Sequence, residues 1–178
     1  MLFYRDTRER VQVAFTDRHG GVSVGPYTSL NLGHRVGDDE RAVARNIELA
    51  VGELSGAPPG VVRWAGMRQV HGAEVHLVDA GRQQSESVAD ALVTAEPGVV
   101  LLVRIADCVP VLLADQASNA VAVVHAGRSG LAAGVVPRAV KRLRALGAAR
   151  SATTATQESA GSERLVAWIG PHVCGACY

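Results

Sequence analysis

Two runs of the chain, "VVLLVRIADCVPVLLAD" from Val99 to Asp115 and "AVAVVH" from Ala120 to His125, limit its fold more than any other feature. A strand with one wet face alternates apolar and polar residues. These runs do not alternate, so they read as strands covered on both faces. The first is interrupted by "ADCVP", where Pro110 lacks an N–H and biases Val109 away from helix, which predicts a sharp break at Asp107 and Cys108. The second finishes on His125, a residue that core packing does not require.

The remaining elements follow from local signals. Val11–Phe15 reads as a short strand, and "TDRHGGVSVGPYTSLNLG" as a long loop, a length that usually accompanies function or disorder. In "DDERAVARNIELAVGELSG", Asp38 or Asp39 can cap a helix whose apolar stripe is Val43, Ile47, Ala50, Val51 and Leu54, ending near Gly56. Val61–Ala65 starts a strand running into "MRQVHGAEVHLVD", where Val70, Val75, Leu77 and Val78 suggest a hairpin-like pair bent at His71 and Gly72. After "AGRSG", the segment "AAGVVPRAVKRLRALG" carries Val136, Ala139, Val140, Leu143 and Leu146 on one helical face. "AARSATTATQESAGSER" has the composition of a flexible loop, and "LVAWIG" is a last strand. Strands and helices mix without regular βαβ alternation. The expected fold is therefore α+β, a single layered domain over residues 1–178 with mixed sheets flanked by helices.

Composition narrows the function classes. With 48% apolar residues and a formal net charge of +1, the chain has a core-forming composition and no basic surface calling for nucleic acid. The basic cluster "RAVKRLRALGAAR" is the wet face of a helix. The N-terminus is charged where a secretion signal would be apolar, and no stretch approaches the roughly 20 apolar residues of a membrane span. A cytoplasmic location is expected, with no membrane partner. In that reducing setting Cys108, Cys174 and Cys177 are thiols, each to be read as packing, metal ligand or nucleophile.

His71 at a bend, Cys108 at a strand break and His125 at a strand end share one description. Strand ends on one rim bring distant residues together. Two imidazoles and a thiolate suit zinc, with a fourth position left for water as in catalytic sites. The same residues could also be core filler, since their spacings match no compact metal motif.

The segments "FTDRHGGVSVGPYTSLNLG", "MRQVHGAEV", "ADALVT", "ADCVPVLL", "VVHAGRSGLAAGVV" and "WIGPHVCGACY", in this order, closely resemble the YfiH family, also called the laccase-domain, multicopper polyphenol oxidase or peptidoglycan-editing-factor family. The resemblance implies a layered α/β/β/α fold and a zinc-dependent purine nucleoside phosphorylase acting on purine nucleosides and phosphate. It also implies accompanying adenosine deaminase and methylthioadenosine phosphorylase activities. The implied metal ligands fall on His71, Cys108 and His125. Arg128 with the backbone of "AGRSG" is a candidate for anion binding, Asp107 for acid/base or orienting work, and Asn31 and Arg68 for pocket lining. Turn capping for Asn31 and a solvated charge for Arg68 are the alternatives.

The chain departs from the family twice: "HAGRSG" stands where "HAGWRG" is usual, displacing an arginine to Arg128, and family members continue past this C-terminal motif, so a segment beyond Tyr178 is expected to be missing. Other functional classes remain to be tested. One is a copper centre, with Met67 as axial ligand in a single-copper version. Another is a metal-free cysteine hydrolase using Cys108 and His125, acting on peptidoglycan precursors. A third is a metal-binding protein with impaired catalysis. Cys174 and Cys177 do not complete the deaminase pattern H-x-E…P-C-x-x-C, since Cys174 does not directly follow Pro171 and no H-x-E occurs, and they read as local packing or half a metal site.

Overall fold

The computed structural model describes residues 1–79, 85–153 and 165–177. By its contacts the chain divides into two compact units, Met1–Thr7 with Gln12–Arg63, and Arg8–Val11 with Trp64–Tyr178.

In the first unit, β1 (Leu2–Arg8) and β2 (Val11–Thr16) form a two-stranded sheet. β1 lies in the charged N-terminal segment, to which the sequence reading assigned no element. The glycine-rich loop follows, with a single 3-10 turn at Gly25–Tyr27, and leads to α1 (Glu40–Ser55). The helix starts where the Asp39 carboxylate accepts from the Arg41 N–H and stops at Gly56, whose φ of 70° suits a residue without Cβ. Its buried face carries Val43, Ile47, Ala50 and Val51, and also Asn46, which is fully buried. That amide replaces secondary structure as the organiser of the loop. Asn46 Oδ1 accepts from the Val22 N–H, and its Nδ2 donates to Ser23 Oγ and to the carbonyls of Ser29 and Asn31.

The second unit contains most of the chain. Its elements are β3 (Arg63–Arg68), β4 (Val75–Leu77), β5 (Ser85–Val88), β6 (Ala91–Thr94), β7 (Val99–Leu101), β8 (Val109–Asp115), β9 (Ala120–Ala126), α2 (Arg128–Ala132), α3 (Val135–Thr153) and β10 (Leu165–Ile169). One sheet has the order β10-β8-β9-β6-β4, antiparallel at every step except the parallel β4–β6 pair; a second has the order β5-β3-β7. Mixed sheets with few helices bear out the α+β expectation. The bend at His71 is not a hairpin: β3 pairs in parallel with β5, while β4 pairs in parallel with β6 in the other sheet. The periodicity there was correctly that of strands, but nothing local specifies a partner for parallel strands, which are joined by long crossovers.

The continuous apolar runs are explained by burial on both faces. Ala91, Val93, Val111, Leu113, Ala122 and Val124 pack with Val135, Ala139 and Leu143 of α3. Leu92, Leu112 and Val123 alternate with them along the same strands and are also buried. Only the end of the first run matches the expected strand length on its amino side, since β7 stops at Leu101 and residues 102–108 form a connection. The helix expected after "AGRSG" is interrupted. α2 begins at Arg128, Gly134 breaks the chain at φ 82°, and α3 restarts at Val135, with Pro137 tolerated in its first turn. α3 also continues to Thr153, so residues 148–153 are helical rather than loop, because the alanines there favour helix. The rest of that expected loop, 154–164, lies outside the described residues.

Leu143 is fully buried beneath the five-stranded sheet. Leu143→Ala is expected to cost about 2–5 kcal/mol, read as a lowered urea midpoint at unchanged slope.

Candidate metal centre

The antiparallel registers build the centre. Val109 pairs with Ala126 and Pro110 with His125, which places Cys108, one residue before β8, opposite Gly127, one residue after β9. On the other side of β9, Ala91 pairs with Val124, which sets Asp90 opposite His125. The ladder continues through that position, since the His125 N–H donates to the Asp90 carbonyl at 2.8 Å.

Asp90 is the residue that sequence reasoning missed. Its side chain is fully buried and accepts from four donors: His125 Nδ1 at 2.8 Å, the His71 N–H at 2.9 Å, the Gly72 N–H at 2.7 Å and the Val70 N–H at 3.2 Å. Burial pushes the Asp90 carboxyl upward, but the hydrogen bonds from His125 and from those three amides outweigh it, leaving the group below its ordinary value and ionised. An ionised carboxylate only accepts, so His125 Nδ1 carries the proton. Its Nε2 lone pair is then left for a metal. The only signal in the sequence was a single aspartate directly before the apolar strand "ALVT".

The same carboxylate shapes the bend that carries His71. With φ at 60°, His71 occupies the left-handed region, an uncommon place for a side-chain-bearing residue, and the amides on either side of it converge on Asp90. A second tie holds this bend to the segment before Cys108: Gln69 Nε2 donates to the Arg104 carbonyl at 2.6 Å, and the Arg104 N–H donates to Gln69 Oε1 at 3.1 Å. Arg104 is fixed in turn by the Met67 carbonyl and an ion pair with Glu86.

These constraints bring the three expected ligands together. One donor atom from each of His71, Cys108 and His125 lies within 4.8 Å of the others, and the two imidazoles meet edge to face at 4.7 Å between centroids. Tetrahedral zinc on two nitrogens and a sulfur holds such atoms about 3.5 Å apart, so a modest contraction completes the set. His71 is exposed, Cys108 intermediate and His125 buried, and the group therefore opens toward solvent on the His71 side. Burial pushes the Cys108 thiol up, reinforced by the negative charges of Asp107 and Asp90. A cation is what would stabilise the thiolate there.

Two glycines permit this packing. A Cβ on Gly127 would lie 2.9 Å from His71 Cδ2, 3.1 Å from Cys108 Sγ and 3.7 Å from His125 Cε1. On Gly130 it would meet the Gly72 carbonyl at 2.7 Å. The remaining expected site residues are less concentrated. Asp107 is exposed beside Cys108, Arg128 is exposed as the first residue of α2, and Arg68 is exposed at the end of β3. Asn31 belongs to the first unit, where its Nδ2 donates to Asp38 at 2.9 Å and its Oδ1 accepts from the Gly33 N–H, the hydrogen bonds of a capped turn.

Residues 12–178 match the family model described as multi-copper polyphenol oxidoreductase laccase. The chain is 51% identical over 180 residues to "Purine nucleoside phosphorylase SCO2081" of Streptomyces coelicolor, covering 100% of this chain and 68% of that protein. Among solved structures it resembles YlmD from Geobacillus stearothermophilus, with a TM-score of 0.76 and 31% identity over 93% of this chain and 59% of that one. It also resembles YfiH from Bacillus licheniformis, with a TM-score of 0.73 and 27% identity over 94% and 60%. The chain thus spans about six tenths of the length of these two structures.

Because the Asp90 carboxylate fixes both histidines, Asp90→Asn is expected to weaken zinc binding about 10–100-fold in a chelator competition. Gly127→Ala is expected to lower zinc stoichiometry while leaving far-UV circular dichroism unchanged.

Proposed function

Since the chain belongs to the multi-copper polyphenol oxidoreductase laccase family, also known as YfiH, we propose that it is a zinc-dependent purine nucleoside phosphorylase. The observation that carries this reading is the convergence of His71, Cys108 and His125 around a position open to solvent, in a chain half identical to a protein named for that activity. The donor set fits zinc: two neutral imidazoles and a thiolate, with His125 oriented by a carboxylate. None of the six histidines forms a His-x-His pair, which the histidine-rich sites of a multicopper oxidase would require.

In phosphorolysis a phosphate oxygen bonds to the ribose C1′ while the bond from C1′ to the purine nitrogen breaks, and the departing base takes up a proton. When bound, zinc supplies a Lewis acid that stabilises developing negative charge. The chain's own groups account for the rest. Arg128 follows Gly127, the residue in contact range of all three ligands, and is assigned to the phosphate dianion. Asp107, next to Cys108, is assigned to acid/base or orienting work at the site, and Arg68 to the pocket wall. Adenosine deamination would use the same centre, with water attacking the purine C6, and belongs to this proposal as a secondary activity, as does phosphorolysis of methylthioadenosine. The protein would act in the cytoplasm; no described helix is long and apolar enough to cross a membrane.

The metal-free hydrolase alternative has less support, because the similar proteins are named for phosphorolysis and not for hydrolysis. Incubating purified protein with inosine, adenosine or methylthioadenosine, with and without phosphate, tests the reading. Free base is expected only with phosphate, with stoichiometric colourless zinc by metal analysis. His71→Ala and Cys108→Ser should lose metal together with at least about 100-fold in base release. Phosphate-independent hydrolysis surviving in metal-free His71→Ala would sink it in favour of the cysteine hydrolase, and an intense blue colour on loading would favour copper.

A further inference from the structure

The C-terminal "PHVCGACY" carries two thiols that the phosphorylase reading does not use. Past β10, the antiparallel ladder with β8 continues for two more rungs: the Gly170 N–H donates to the Pro110 carbonyl and the Val173 N–H to the Asp107 carbonyl, each at 3.0 Å. The chain is therefore fixed up to the residue before Cys174. It then turns, with the Cys177 N–H donating to the Cys174 carbonyl at 3.0 Å, and this turn faces the two side chains toward each other. Their sulfurs are 2.9 Å apart, and both residues are exposed. Among the described residues, a Cβ on the intervening Gly175 would meet nothing within 4 Å.

We propose that Cys174 and Cys177 form a dithiol site that undergoes reversible thiol–disulfide exchange with small disulfides of the glutathione class. The sulfurs lie within about 1 Å of disulfide bonding distance, and a turn already closed by a backbone hydrogen bond needs little rearrangement to join them. The two thiols are not equivalent. The contact with Cys177, together with the backbone amides of Ala176 and Cys177, stabilises a thiolate on Cys174 and lowers its pKa, while the same thiol–thiol contact pushes the Cys177 thiol up. Cys174 is thus the attacking sulfur and Cys177 the resolving one.

In the first step the Cys174 thiolate bonds to one sulfur of the small disulfide, whose S–S bond breaks and releases one thiolate that takes up a proton. Cys177 then loses its proton and attacks Cys174 Sγ, expelling the second small thiol. Two protein thiols are oxidised to one disulfide, and one small disulfide is reduced to two thiols. This site lies outside the His71, Cys108 and His125 group and does not depend on the phosphorylase reading.

The test is thiol mapping by mass spectrometry on the 178-residue chain after equilibration across ratios of reduced to oxidised glutathione, with acid quench and alkylation. Trypsin separates the two sites, placing Cys108 in the peptide Ile105–Arg128 and both C-terminal cysteines in Leu165–Tyr178. As the oxidised fraction rises, the C-terminal peptide is expected to pass from doubly alkylated to unalkylated and two hydrogens lighter. Cys177→Ser should stop at a mixed disulfide on Cys174, and Cys174→Ser should form its mixed disulfide at least about 10-fold more slowly, following its smaller thiolate fraction. Full alkylation at every ratio, separate glutathione adducts on both cysteines, or a disulfide joining two copies of the chain would each overturn the proposal.

Discussion

A single buried carboxylate holds the candidate centre in place. Asp90 lies where water is excluded, yet four N–H donors converge on it, one from a ring and three from consecutive backbone amides. Charge-assisted hydrogen bonds of this kind are stronger than neutral ones, and a buried carboxylate without them would be too costly to keep ionised. The fold and the site therefore share one interaction. The same charge that fixes the tautomer of His125 also draws in the backbone around His71, so the two imidazoles cannot be placed independently.

Sheet registers decide which side chains can join this group. Both faces of β8 and β9 are buried, so a one-residue slip in pairing would carry the side chains that now pack under α3 to the other face and disrupt the packing on both. The apolar runs thus lock the register, and the register in turn sets Asp90 opposite His125 and Cys108 opposite Gly127. The Gln69–Arg104 amide exchange adds a direct tie between the bend carrying His71 and the strand approach carrying Cys108.

What could be read in the sequence follows from whether the determining contacts are local. The caps and apolar stripe of α1 are set within one turn of the residues that form them, and Asp39, Gly56 and the buried face emerged as expected. The candidate ligands were legible because a cysteine and two histidines stand at breaks in otherwise apolar strands. β1 and β5 lacked an apolar pattern to announce them, and the parallel pairings of β3 and β4 depend on partners far along the chain. Asp90 was hidden for the same reason. It lies 35 residues from His125 and 19 from His71, and its meaning arises only when the strands have paired.

The β8–β9 turn, residues 116–119, is closed by Asn119 at φ 56° and by the Ser118 hydroxyl donating to Asp115. It sits at the opposite end of the hairpin from Cys108 and Gly127. Because side chains alternate strictly along a strand, the number of residues in this turn works as a length gauge: one residue more or fewer would swap the faces of one strand against the other, turning His125 from Asp90 or Cys108 from Gly127. Chain length in a remote surface turn is thereby part of the specification of the centre.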